Sequence, residues 1–387
     1  MQRSVTSLCI GLVAITVAAT TARGQYVPES TRPSEGGKQI LTLQTGGWGV
    51  SRLALSPDGK RILSSDAGSY RFAPTGGPTY FLLHDAATGK RLARITMPSK
   101  SHFSWGLAFS PDGKQFATAL SEYQPSSLVV IWDAENRKQS FEFKVPIPVV
   151  TSLAFTPDGK RLVTGGGDNR MYANIRPPGE LMVWHADNGE RRFHLKGHNA
   201  FVTDVAVFPD GKRFASSSWD GTVKVWDLET GKELLTLRGH TGLVRSVAVS
   251  PDGKWIVSSA SGRFLDQRDN NKGNTTDSAI EPQPVRVWDA ETGKEFKDFL
   301  EFKEEFKEVN ESFGCVAISP DCKRIAAARG VTDRTLIRVW DADTGRVVAT
   351  LRGHIDGVSC LTFSTDSKRL ISGGGDSVIK VWDLTTK

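Results

Sequence analysis

Residues 198–237 read HNAFVTDVAVFPDGKRFASSSWDGTVKVWDLETGKELLTL. Val205 and Val207 alternate with other residues, the period-2 mark of a half-buried strand. Pro209-Asp210-Gly211 follows, a tight hairpin in which Gly takes positive φ without steric penalty. A second short strand comes next, and a third runs into Val225-Trp226-Asp227. The turn Glu229-Thr230-Gly231-Lys232 then leads to a fourth strand at Glu233–Leu237.

The same unit is written seven times. Ser-Pro-Asp-Gly-Lys or a close relative begins at Ser56, Ser110, Thr156, Phe208, Ser250, Ser319 and Ser364. The sixth copy has Cys322 in place of the turn Gly, which predicts a mildly strained turn. The Trp-Asp signal recurs at Trp132, Trp226, Trp288, Trp340 and Trp382, with degenerate versions at His84-Asp85 and Trp184-His185. Three fourth strands end in Gly-His, at His198, His240 and His354. Four strands per unit with Trp-Asp and Gly-His marks match the repeat class of propeller blades. From Lys38 to Lys387 the chain closely resembles the WD40 family.

The two ends of the array complete one another. The chain stops three strands into the seventh unit, at Val381-Trp382-Asp383-Leu384, whereas Lys38–Gln44 (KQILTLQ) reads as a lone fourth-type strand. Pairing it into the last blade closes the ring and removes exposed sheet edges. The expectation is an all-β chain: a single closed seven-bladed β-propeller of four-stranded antiparallel blades over residues 38–387. At 387 residues length alone suggests two or three domains, and the repeats override it.

Composition bounds the class. Hydrophobic residues make up 39% and charged residues 24%, within the soluble globular range. Residues 1–24 read as a signal peptide: Arg3, an uncharged apolar run from Leu8 to Ala19, then Ala22-Arg23-Gly24 before a cleavage at Gln25. The run is short for a membrane span, so an exported protein, periplasmic or extracellular, is expected, the alternative being an uncleaved anchor. Residues 25–37 read as a flexible, proline-bearing linker. The formal charge of +6 falls to +4 without Arg3 and Arg23, which makes no electrostatic case for nucleic acid.

No GxSxG, HExxH, phosphate-cradling GxxxxGK or helix-opening GxGxxG occurs, and no histidine pair has metal-ligand spacing. The reading is therefore no catalytic residues, no metal and no cofactor. Of the three cysteines beyond Cys9, Cys315 and Cys360 hold equivalent positions in neighbouring units and form the one disulfide to test, against the alternative of buried free thiols. Asp266, Asp269, Asn270, Asn271, Asn274 and Asp277 lie in the 261–284 loop. They suit a mobile polar loop better than a Ca²⁺ site, because the EF-hand spacing is absent. Phe302, Phe306 and Val309 recur at helical spacing within 301–311, a short amphipathic helix that caps the ring or docks a partner.

The resemblance implies roles for particular residues. A His, a strand Ser, a turn Asp and the Trp form a hydrogen-bonded set inside a blade: His198, Ser216, Asp220 and Trp226 in the fourth unit, and His354, Ser372, Asp376 and Trp382 in the seventh. Blades without Gly-His would be held more by packing alone. All sizeable insertions fall on connections that emerge on one face of a propeller, which marks that face for binding. The family's contact positions map there to Phe103, Trp105, Phe201, Trp219, Leu243 and Arg245, and Trp48 lies on the same rim. Aromatic residues and Arg dominate interface energetics. The function expected is a monomeric, non-enzymatic protein-binding scaffold without an integral membrane span. An extracytoplasmic enzyme or small-ligand binder with its site at the channel mouth is the alternative.

Overall fold

A computed structural model describes residues 33–47, 49–66, 80–97, 103–121, 125–169, 177–261, 285–296, 313–329 and 335–385. The described residues are all-β and form seven antiparallel sheets arranged as blades around a ring. Strand β1 (Lys38–Gln44) comes first. Blade 1 is β2 (Val50–Leu55), β3 (Arg61–Asp66), β4 (Tyr80–Asp85) and β5 (Arg91–Thr96). Blade 2 is β6 (Phe103–Phe109), β7 (Gln115–Ser121), β8 (Ser127–Asp133) and β9 (Gln139–Val145). Blade 3 is β10 (Val149–Phe155), β11 (Arg161–Gly167), β12 (Gly179–His185) and β13 (Arg191–Lys196). Blade 4, the unit quoted first, is β14 (Val202–Val207), β15 (Arg213–Ser218), β16 (Thr222–Asp227) and β17 (Glu233–Arg238).

Blade 5 has β18 (Leu243–Val249), β19 (Trp255–Ser261) and β20 (Arg286–Asp289), and a Trp288–Glu295 bridge where a fourth strand would begin. Blade 6 is β21 (Phe313–Ile318), β22 (Arg324–Arg329), β23 (Ile337–Asp341) and β24 (Val347–Leu351). Blade 7 has β25 (Val358–Phe363), β26 (Arg369–Gly374) and β27 (Val378–Asp383), and its fourth strand is β1. Lys38 pairs with Asp383 and Gln44 with Val378. The innermost strands meet in the order β2, β6, β10, β14, β18, β21, β25 and back to β2. The ring is closed.

Local chemistry repeats with the blades. In the first hairpin Ser56 Oγ donates to Asp58 Oδ1 (2.5 Å) and accepts the Arg61 N–H (2.9 Å), and Gly59 sits at φ 71°. After the third strand, Asp227 Oδ1 accepts the Glu229 N–H, the Thr230 N–H and the Thr230 hydroxyl (3.0, 2.6 and 2.8 Å), closing that turn. The apolar core lies between blades. Val163, Leu181 and Val183 of blade 3 pack with Val205, Phe214 and Trp226 of blade 4. At the closing seam Leu43, Ile371 and Ile379 meet Val50 and Ile62.

Every innermost strand carries a bulge at the same height. The register skips one residue after Val50, Ser104, Val150, Val202, Val244, Phe313 and Val358. The skipped residues are Ser51, Trp105, Thr151, Thr203, Arg245, Gly314 and Ser359. Four of them carry hydroxyls that stitch each blade to the next: Ser51 Oγ donates to the Ser104 carbonyl (2.8 Å), Thr151 to Val202 (2.9 Å), Thr203 to Val244 (2.9 Å), and Ser359 to Val50. Toward the short-turn face the seams are tied by arginines. Arg61 Nη1 donates to the Ala134 carbonyl (3.0 Å) and Arg161 Nη1 to that of Leu228 (2.9 Å).

Two expectations need adjustment. Residues 33–37, the end of the expected linker, are hydrogen-bonded to blade 6, because backbone groups of Glu35 meet those of an open strand edge at Thr350. Blades 2 and 3 lack Gly-His but are not held by packing alone. Trp132 Nε1 donates to Thr118 Oγ1 (3.0 Å) and Trp184 Nε1 to Thr164 Oγ1 (2.9 Å).

Cys322 has φ 60°, in the left-handed region that favours glycine. That conformation costs about 1–2 kcal/mol for an L residue, against about 0.5–1 kcal/mol of extra chain entropy for Gly. Cys322→Gly should therefore raise unfolding stability by about 0.5–1 kcal/mol, measured by urea denaturation. A loss of stability would show that the turn is unstrained.

Candidate protein-binding face

In the antiparallel order of each blade, the connection from second to third strand and the connection to the next blade leave the same end. On this loop-rich face, blade 4 presents a built cluster. Ser218 Oγ donates to the Ala200 carbonyl (2.8 Å) and the Trp219 N–H to the Phe201 carbonyl (3.0 Å), which pins the two loops together. The Phe201 and Trp219 rings then lie with centroids 5.0 Å apart. From blade 5, the Arg245 guanidinium carbon stands 5.5 Å from the Trp219 ring centroid, and its Nε donates to Ser261 Oγ (2.9 Å). Burial lowers the Arg245 pKa.

The structure brings Phe201, Trp219 and Arg245 together. Phe201 and Leu243 are buried, whereas Trp219 and Arg245 are half-buried. Trp105 is also half-buried but belongs to blade 2. Trp48 and the side chain of Phe103 lie outside the described residues, as do most of the 261–284 loop, the 301–311 segment and residues 1–24. Among the described residues no group of three or more His, Cys, Asp and Glu side chains is placed to hold a metal ion. No helix among them is long and apolar enough to cross a membrane.

Below the mouth, the layer after the bulges holds Arg52, Gly106, Ser152, Asp204, Ser246, Cys315 and Cys360. Arg52 reaches across the channel: Nε donates to the Trp105 carbonyl (2.9 Å), and Nη2 to the carbonyls of Thr151 (3.1 Å) and Thr203 (3.2 Å). Nη2 also lies 3.8 Å from Asp204 Oδ1. Asp204 accepts from Ser152 Oγ and Ser246 Oγ, each at 2.8 Å, so one carboxylate ties three blades. Sequence reasoning missed this pair. The available signal was one charge of each sign at equivalent positions in a layer of otherwise small residues. Cys315 and Cys360 are free, buried thiols. Burial raises both, Cys360 to about 11.

Inside the blades, His198 Nδ1 is 2.9 Å from Asp220 Oδ2 and Nε2 is 2.8 Å from Ser216 Oγ, which also accepts the Trp226 indole N–H (2.8 Å). His354 lies 2.9 Å from Asp376 and 2.7 Å from Ser372 Oγ, which accepts the Trp382 N–H (2.9 Å). Each set is buried and ends on an indole, so it braces the blade rather than facing a substrate.

A family model described as WD domain, G-beta repeat (WD40) matches residues 141–172, 189–227, 231–265 and 345–383. The chain carries WD40 repeats. The chain is 33% identical over 101 residues to WD repeat and SOCS box-containing protein 1 of Xenopus tropicalis, covering 26% of this chain and 22% of that protein. It is 35% identical over 117 residues to Transcription factor unc-37 of Caenorhabditis elegans, covering 30% and 17%. Periodic tryptophan protein 2 of Saccharomyces cerevisiae is 36% identical over 72 residues, covering 19% and 8%. The chain thus matches under a quarter of the length of each of these relatives.

Buried polar groups inside the blades can be tested by substitution and by acid. Ser65 pairs with the bulge hydroxyl Ser51 (2.7 Å) and Ser217 with Thr203 (2.8 Å), but blade 5 has Arg245 at that position, and the buried Ser259 hydroxyl has no partner among the described residues. Arg245→Thr should be more stable than Arg245→Val, its near-isostere, by about 1 kcal/mol. Equal urea midpoints would show that no stitch forms.

The second prediction concerns acid. Burial first, and then Arg286, push His240 down to about 3. Unfolded His protonates near 6.5, so this group's contribution is present above that pH and lost as pH falls from about 6.5 toward 3. Burial pushes Asp220 upward, but its bonds to His198, Thr222 and Asn199 outweigh that and hold it at about 2. Its contribution is lost between about pH 4 and 2. Urea midpoints of His240→Gln should flatten the first window alone, and those of Asp220→Asn the second.

Proposed function

We propose that the protein is a non-enzymatic protein-interaction scaffold, monomeric and acting outside the cytoplasm, that binds its partner through the loop-rich face. The observation that carries the reading is the Phe201–Trp219–Arg245 cluster, where a guanidinium and two aromatic rings meet at a blade seam. Trp and Arg are among the residue types that carry most of the energy of binding hot spots. Similarity to WD-repeat proteins over part of the chain supports a binding role over a catalytic one. The leader-like residues 1–24 support the location.

The test is affinity capture from the extracytoplasmic fraction with the wild type and with Phe201→Ala/Trp219→Ala/Arg245→Ala, provided both show the same blade-core thermal unfolding. The expected result is a protein enriched by the wild type and reduced at least tenfold in the variant, since hot-spot truncations cost more than about 2 kcal/mol each. Undiminished capture by the variant would remove the face from the proposal. N-terminal sequencing should find Gln25 first, and a chain that still begins at Met1 in the cytoplasmic fraction would overturn the location.

A further inference from the structure

The last residues before β1 do not simply approach the ring. The Glu35 N–H donates to the Thr350 carbonyl and the Thr350 N–H to the Glu35 carbonyl, each at 2.9 Å, a closed antiparallel pair on the outer edge of β24. Ser34 Oγ accepts the Arg352 N–H (2.8 Å) and donates to the Arg352 carbonyl (3.1 Å). Arg352 Nη1 donates to the Pro33 carbonyl (3.0 Å) and lies 3.9 Å from Glu35 Oε1. Gly36 follows at φ 66°, and a Cβ there would sit 1.9 Å from the Val348 carbonyl oxygen. A Cβ on Gly37 would lie 2.6 Å from Leu351 Cδ2 and 3.2 Å from the Asp383 carbonyl, where blade 6 gives way to blade 7. Each of these five residues is thus read by a particular contact.

An exposed strand edge is a template for another extended segment, and strand addition is a recurring mode of peptide recognition. Blades 1 to 4 also end in outer strands (β5, β9, β13 and β17), and no such segment pairs with them among the described residues. We propose that the outer edge of blade 6 is a strand-accepting site whose ligand is the chain's own Pro33–Gly37, held as a strap across the seam between blades 6 and 7. This makes a second lock on the ring, beside the pairing of β1 with β27. It is independent of the loop-rich face, and a segment of the same pattern supplied by another molecule fits the same edge.

Amide hydrogen exchange on the full chain tests it. The Thr350 and Arg352 N–H groups point to the strap, whereas those of Ala349 and Leu351, by strand alternation, point to β23 and serve as internal controls. In the wild type all four are expected to be protected. In Gly36→Val, Thr350 and Arg352 should exchange at least tenfold faster with the controls unchanged. A synthetic peptide of residues 26–37, and not its scrambled form, should restore their protection in that variant. Ser34→Ala, which leaves the backbone pair in place, should speed Arg352 far more than Thr350, and it carries the test if Gly36→Val does not fold. Equal exchange of Thr350 and Arg352 in the wild type and both variants would overturn the strap. A peptide without effect would overturn the accepting edge.

Discussion

The pairing of β1 with β27 is the interaction on which the rest depends. A blade's sheet is apolar on both faces and has no core of its own, so it is stable only between two neighbours. Without closure, blades 1 and 7 would each leave one face uncovered, including Val50, Ile62, Ile371 and Ile379, all nearly inaccessible to solvent in the closed ring. Six residue pairs in antiparallel register along β1 remove both open faces at once. The hydroxyl stitches at the bulges and the arginines of the opposite face then have fixed carbonyls to reach.

Closure also explains the charged pair in the channel. Seven innermost strands with bulges at one height put seven side chains in a single layer too narrow for seven large ones. One arginine extends across it, and the other positions are small or short. A guanidinium so placed is tolerable because three carbonyls and Asp204 meet it, and Asp204 is in turn met by two serine hydroxyls. Buried charge survives only when satisfied on this scale.

Much of this was legible in the residues, because each blade obeys local rules: alternation, the Asp-Gly turn, the Trp-Asp step and the missing fourth strand that Lys38–Gln44 supplies. The His–Ser–Asp–Trp sets were legible through the family resemblance, which implies them position by position. What was not legible lies between units. Arg52 and Asp204 are three blades apart around the ring, and their meeting depends on its diameter. Glu35 binds mainly through backbone groups, which composition does not distinguish from those of a free linker, and the Ser34 hydroxyl meets only backbone groups of Arg352. The positions of Phe201, Trp219 and Arg245 could be named one by one, but their convergence across two blades required the geometry.

The closing strand has a consequence for how the molecule is made. β1 is the first strand of the ring to leave the ribosome, and its partner, Val378–Asp383, is the last. A contact spanning nearly the whole chain is slow to form, because its loop-closure entropy must be met before it gains anything. Throughout synthesis β1 is an orphan edge with alternating apolar residues, open to wrong partners, including the same strand of another nascent copy. Folding from the first blade onward therefore cannot finish early. The ring commits only when its final strand is available, and until then the chain has a long window in which a holdase serves it better than speed.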